Sequence, residues 1–390
     1  MQDLDKINLR IFSAILFVPL FIEAITVFRN GPNPLWTGMV YMSVLAFSIL
    51  KIRRQITGID LCVLIGTYSF FVLNILMFPS TLEYYKTVVM VMSLIFYIPL
   101  GCFVVRHVKN WNRLFDEIKP FAAASVLLGV YIVFVGDVGF NEEYFNYMEF
   151  SYCMLPFVAS MYLIMRNSRH QRWMWLALFI TGAVCMIIYG ARATILFLTV
   201  FIAAFEYLHS SSRSRIYVLL VFTLIAGICI IYFDNIVIYL SGIDALSGSR
   251  LIAKAAMGQL ADGGERNILI YDSIKRIETM DLAISGVFGD RAYIRGIYPH
   301  NIGLEILMQF GIILGLMIVI SMLYIIVADI TMTNYCMVSI FLCCVLFGRF
   351  LFSGSYIQDG SFWLWFFSMV NIFGQRKKFL QVYRRKLSHS

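Results

Sequence analysis

About twelve apolar runs, most of them close to twenty residues and nearly free of charge, leave this chain few ways to fold: 11–28, 35–50, 59–78, 87–105, 120–136, 150–165, 173–189, 191–208, 216–233, 300–328, 335–350 and 361–374. Inside a bilayer the backbone must satisfy its own polar groups, and a helix of about twenty residues does so while crossing the hydrocarbon. The expected fold is therefore an all-α polytopic membrane protein with about twelve transmembrane helices. The 60% hydrophobic and 14% charged composition agrees, since a soluble domain carries about a quarter charged residues. The net charge of +8 does not point to nucleic acid, because most basic residues lie in short loops between the runs. The first ten residues lead into an apolar run with no small-residue cleavage site, which reads as an uncleaved first span. The pair 173–189 and 191–208 has almost no loop, and Pro19, Pro99 and Pro156 within spans predict kinks.

Lys and Arg in the short loops set the orientation. With the N-terminus inside, the inside segments collect Lys6 and Arg10, then Lys51, Arg53 and Arg54, then Arg106, Lys109, Arg113 and Lys119, then Arg166, Arg169 and Arg172, then Arg213 and Arg215, and the tail residues from Arg376 to Lys386. The short outside loops hold only Arg29 and Lys86. This places residues 1–233 as helices one to nine, 234–299 as a large outer loop, 300–374 as helices ten to twelve and 375–390 as a basic inner tail. Both termini are expected inside. Within the loop, Ile270, Ile274 and Ile277 recur at helical spacing, and Leu251–Met257 is a second helical stretch. Both are expected to lie as amphipathic helices on the membrane surface. The eight cysteines all sit in or beside apolar runs, so they read as small buried residues and not as a disulfide framework.

The polar residues that remain gather at one mouth. Of five histidines only His300 falls on the outer side, and it follows Pro299, a residue suited to the first turn of a helix. At a helix N-terminus the macrodipole disfavours imidazolium, so the ring is expected to be neutral and able to accept a proton. Capping of the helix at the interface accounts for the same histidine. Glu305 lies four residues after Asn301 on one helical face, and an ionisable group at that depth needs a cavity or a partner. Arg192 opens another inward-running helix, and Arg349 closes a neighbouring span at the same level. With Arg266, and with Arg291 from the outer loop, they form a cationic rim able to clamp phosphate oxygens. Snorkelling to lipid headgroups is the plainer role for each arginine. The sequence has no Walker A motif, no His-Glu-x-x-His and no Gly-x-Ser-x-Gly.

Three stretches give these residues a context: Gly190-Ala-Arg-Ala-Thr-Ile-Leu196, Gly264-Glu-Arg-Asn-Ile-Leu-Ile-Tyr271 and Tyr298-Pro-His-Asn-Ile-Gly-Leu-Glu-Ile-Leu-Met-Gln-Phe-Gly311. In these, and in the large outer loop after the ninth span, the chain resembles the O-antigen polymerase and ligase superfamily of bacterial inner membranes. The resemblance covers about the second half of the chain; the first half is similar only in hydropathy. It implies a GT-C-like, metal-independent glycosyltransferase with no cofactor, acting on undecaprenyl-pyrophosphate-linked oligosaccharide at the periplasmic face. It also implies a chain-length regulator protein as a possible partner, besides the membrane lipids. Carried over, Arg192 and Arg266 hold the pyrophosphate, and His300 is the base or organises the acceptor hydroxyl, with Glu305 as the alternative base. The expected activity is that of a polymerase, moving the growing chain onto the next lipid-linked repeat unit. Its nearest rival is a ligase delivering polymer to lipid A-core. A flippase for lipid-linked oligosaccharides predicts internal repeats and charges lining mid-membrane helices, and the sequence has neither.

Overall fold

The computed structural model describes residues 2–29, 31–135, 147–189, 191–231, 239, 265–279, 284–294, 296–332 and 334–387. All regular structure among them is helical. The main elements are α1 (Gln2–Phe28), α2 (Pro34–Ile52), α3 (Gly58–Met77), α4 (Val88–His107), α5 (Lys119–Phe134), α6 (Tyr147–Asn167), α7 (Arg172–Ile188), α8 (Arg192–His209), α9 (Ser212–Ile231), α10 (Glu265–Thr279), α11 (Ile302–Met332), α12 (Cys336–Leu351) and α13 (Gly360–Leu387). Seven of them, α1, α2, α3, α4, α6, α8 and α11, are long and apolar enough to cross a membrane. An eighth is counted if α5 is joined to the helix Trp111–Glu117 across a 46° bend. The apolar helices α7 and α12 are shorter. The chain is a helical, multi-pass membrane protein. The expected helix at Leu251–Met257 lies outside the described residues.

The chain forms two compact units: residues 1–11, 42–112 and 263–390 make the first, and 12–41 with 113–262 the second. In the second unit the ring of Phe17 packs on Phe121 and Phe157 at 5.7 and 5.8 Å between centroids. At one end of α6 the Tyr162 hydroxyl donates to Glu206 of α8 at 2.6 Å, and Arg166 pairs with the same carboxylate at 2.7 Å. Arg192 belongs to this unit, where it opens α8 with an exposed side chain.

The first unit is tied at one end by polar bonds around 105–111. Asn371 and Gln375 of α13 donate to the carbonyls of Arg106 and Val108, and the Trp111 indole donates to Asn371 at 2.8 Å. Asp60, in the first turn of α3, is buried and receives both Thr57 and Arg106. The π-turn Ser93–Tyr97 stands just before Pro99, where a widened turn absorbs the missing N–H.

The other end of this unit departs from the regular helix that hydropathy predicts for 300–328. Gly311 has φ 72° and ψ 171°, a backbone region open only to glycine, and it breaks α11 into 302–310 and 312–332. The chain then doubles back, and a Cβ on Gly315 would come within 3.0 Å of the Leu307 Cα. Eight residues of straight helix would have separated the two by about 12 Å. The break frees carbonyls at the end of 302–310. The Gln309 carbonyl accepts the amides of Ser285 and Gly286 at 3.1 and 2.9 Å, and the Ser285 hydroxyl donates to Met308 O at 2.6 Å.

Helix α10 is present, but a different face is seated. Leu269 is buried with Ile294 and Met308, Ile277 packs at the edge, and Ile274 is exposed. The face is Leu269, Ser273 and Ile277, spaced by four. Serine is tolerated inside it because its hydroxyl donates to the Leu269 carbonyl at 2.6 Å.

Gly311→Ala and Gly315→Ala should each lower the melting temperature of the detergent-purified protein, by about 1–3 kcal/mol of stability for Gly311. Gly66→Ala, where a Cβ meets nothing within 4 Å, should not. Equal melting of all three would contradict the break at Gly311.

Candidate functional site

A short irregular segment and a capped half-helix build the site in the first unit. Residues 287–301 lead from a turn at 289–292 to the start of 302–310. Sequence spacing predicts Pro299 in the first helical turn. The helix instead begins at Ile302, with Asn301 as its cap: the Asn301 Oδ1 accepts the amides of Gly303 and Leu304 at 3.0 and 3.2 Å. Asparagine satisfies two of the free N–H groups of the first turn, a task proline cannot perform. His300 stands just before the cap with φ 56°, and Phe288, fully buried, has φ 67°. Both are left-handed conformations, uncommon for histidine and a true outlier for a buried phenylalanine.

Beneath this segment lies a cluster of buried charges. Arg291 is 2% exposed. Its Nη1 donates to Asp290, and its Nη2 donates to Glu305 Oε1 at 3.1 Å and to Ser355 Oγ at 2.8 Å. Its guanidinium carbon lies 5.2 Å from the centre of the Tyr298 ring and 5.5 Å from that of Phe288. The Gln309 amide donates to Asp290 Oδ1 at 2.7 Å and to Glu305 Oε1 at 3.4 Å, and its oxygen accepts the Tyr356 hydroxyl at 2.8 Å. The backbone amide of Tyr356 reaches Glu305 Oε2 at 3.4 Å. Burial pushes the Asp290 carboxyl up, against the pull of Arg291 and of the Gln309 amide. From the far side Asn74 binds Val287, accepting its amide at 2.8 Å and donating to its carbonyl at 3.3 Å.

Above the cluster the Tyr298 and His300 rings stand 4.3 Å apart. The Nδ1 atom of His300 is buried and has no hydrogen-bond partner among the described residues. Burial, then the charges of Arg266 and Arg291, lower the imidazole from its ordinary 6.5 to about 4, so the ring is neutral at physiological pH. Burial also raises the Tyr298 phenol, against the nearby charge of Arg349 and the amide of Gly354. Arg349 pairs with Asp359 at 2.9 Å, and Arg266 donates to the Phe352 carbonyl at 3.4 Å. Asn301 Nδ2 reaches Leu351 O at 3.4 Å, which ties the cap to the same 348–359 segment.

Of the residues singled out by sequence, the structure thus brings together His300, Asn301, Glu305, Arg266, Arg291 and Arg349, while Arg192 belongs to the second unit. Glu305 is fully buried among donors, and Arg291 is as deeply enclosed. Neither is presented as an open base or an open clamp; the groups nearest the surface are His300, Arg266 and Arg349. Tyr298, Asp290, Gln309, Ser355 and Tyr356 were not foreseen. Gln309, four residues after Glu305 on one helical face, was legible as an i, i+4 partner. Ser355 and Tyr356 arrive from a loop without periodicity. Among the described residues no cluster of three or more His, Cys, Asp or Glu side chains is placed to hold a metal ion.

Histidine buried as the neutral ring carries a pH dependence. The unfolded chain takes up a proton near 6.5 and the folded one near 4, so His300 takes stability away as pH falls through this window. Melting of wild type should therefore steepen in its pH dependence between 6.5 and 4 relative to His300→Gln. Parallel curves would contradict a neutral buried ring. Compared with protein-family models, with curated proteins and with solved structures, the chain matches none.

Proposed function

We propose that the protein is an O-antigen polymerase of the bacterial inner membrane: a GT-C-like enzyme of about twelve spans that elongates a lipid-pyrophosphate-linked polysaccharide at the periplasmic face. The observation that carries this reading is a neutral, half-buried His300 that feels the guanidinium charges of Arg266 and Arg291, packed on a Tyr298 that feels that of Arg349, beside a capped half-helix. A base and an anion-holding field are the two things an inverting displacement from a pyrophosphate requires.

In this mechanism the acceptor sugar hydroxyl attacks the anomeric carbon of the growing chain. The new glycosidic C–O bond forms as the bond to the pyrophosphate oxygen breaks, and the lipid pyrophosphate leaves with the electron pair. His300 takes the hydroxyl proton, which a ring with a pKa near 4 can accept only transiently and then passes to solvent. Arg266 and Arg349 hold the departing phosphate oxygens, and their charge replaces that of a metal. Asn301, by accepting the Gly303 and Leu304 amides, fixes where the half-helix begins and so holds the backbone next to His300 in place.

Purified protein supplied with an undecaprenyl-pyrophosphate repeat unit should build a ladder of polymer. Arg266→Ala and Arg349→Ala should each cut ladder formation by about 100-fold or more, with the protein still in the membrane. His300→Ala should cost far more activity than His107→Ala, and a chelator should cost none. Ladders of wild-type length in both arginine variants, or equal effects at the two histidines, would remove the reading. In cells, loss of long polymer with a single repeat still attached to core separates a polymerase from a ligase, whose loss strips every repeat.

A further inference from the structure

We propose that Asp290, Gln309 and Tyr356 are positioning residues for Arg291, and that through it they fix the Tyr298–His300 ring pair. The inference rests on the reading of His300 as a site residue and assigns a role to groups that touch no substrate.

Arg291 is held on its edges and on its faces by different chemistry. The edges go to Asp290, Glu305 and Ser355, and both the Phe288 and the Tyr298 rings stand within cation–π range of the guanidinium. A guanidinium bound in this way has neither a free rotation nor a free translation left, so the ring of Tyr298 has a fixed wall to lean on. His300 in turn packs on Tyr298 at 4.3 Å and makes no hydrogen bond through Nδ1 that would hold it independently. The left-handed backbone at Phe288 and at His300 brackets the stretch, and such conformations persist only where the surroundings over-determine them.

Gln309 is what closes this arrangement. Two carboxyls accept from its Nε2, and a carboxylate only accepts, so the amide orientation is fixed and its oxygen must find a donor. Tyr356 is that donor at 2.8 Å. One amide therefore joins the 289–292 turn, the half-helix 302–310 and the 353–359 loop. The charged groups that act on His300 are Arg266 from α10 and Arg291 from the turn, while Arg349, paired with Asp359, acts on Tyr298.

If the network positions His300, loosening it frees the ring to water and lifts the burial that keeps it neutral. The test is labelling of the purified protein with diethyl pyrocarbonate, which acylates only neutral imidazole, across a pH series. Peptide mass spectrometry reads His300 and His107 separately in the same molecules. In wild type the His300 midpoint should lie near 4. Tyr356→Phe and Gln309→Leu should raise it by about one pH unit or more, toward the ordinary value, and leave His107 unchanged. Arg291→Lys, which keeps the charge and loses the planar fork, should raise it as well. A His300 midpoint that stays at the wild-type value in Tyr356→Phe, a substitution that removes one hydroxyl and no packing, overturns the proposal even if Gln309→Leu fails to fold. Because labelling needs no turnover, the two readings fail separately. A shifted midpoint in a protein that builds no polymer removes the polymerase and keeps the network, and an active enzyme with unmoved midpoints does the reverse.

Discussion

One guanidinium between two carboxyls is the interaction on which the described site depends. Arg291 is enclosed with Asp290 and Glu305 where water cannot screen them, and an ion in such a place costs several kcal/mol unless it is fully bonded. Arg291 donates to both carboxyls and to Ser355, and Ser355, Gln309 and the Tyr356 backbone donate in turn to Glu305. Deleting one member of such a set leaves a buried charge uncompensated, at about 3–5 kcal/mol, whereas a fully apolar replacement of similar shape can be neutral. The network is therefore better understood as fixing geometry than as adding stability. It joins three segments that hydropathy would not place together: a turn, half of a broken helix and a loop between helices.

The backbone around that interaction is irregular in ways that serve it. Gly311 breaks α11, and the break lets Glu305 and Gln309 face inward on a half-helix that is not obliged to continue as a span. The carbonyls exposed by the break are the ones that hold Ser285 and Gly286, and those residues lead directly into Phe288, Asp290 and Arg291. Asn301 then closes the other end of the half-helix. Each irregularity thus satisfies the polar groups that another leaves open, which is what an interior out of reach of water demands. Further irregular turns, π-helical, stand at Ser93–Tyr97 in α4 and at Cys343–Phe347 in the shorter apolar helix α12.

The placement of His300 shows how local sequence and packing divide the work. Next to a proline and ahead of an apolar helix, the residue was legible as lying at a helix start and as neutral. A helix start would by itself favour the neutral ring through its macrodipole. The structure attributes it first to burial and then to Arg266 and Arg291, because Asn301 already occupies the first free amides of the helix. Glu305 was legible as a carboxyl that needs a partner, and its depth required one. That the partner is Arg291, fourteen residues earlier, was not legible, since nothing periodic links a turn residue to a helix face.

What the sequence determined by itself is the class of the molecule. Long apolar runs allow only helices in a bilayer, and the polar residues left over must gather where they can be satisfied, so the second half of the chain was marked as the place of any chemistry. What only the tertiary structure decided is which of those residues face one another. The φ of Gly311, the choice of Leu269 and Ser273 over Ile274 as the seated face of α10, and the arrival of Ser355 and Tyr356 from a loop all depend on contacts between segments far apart in the chain. Periodicity reports which side of an element is apolar. It carries no information about which distant donor will meet a given carboxylate, and that meeting is what makes the site.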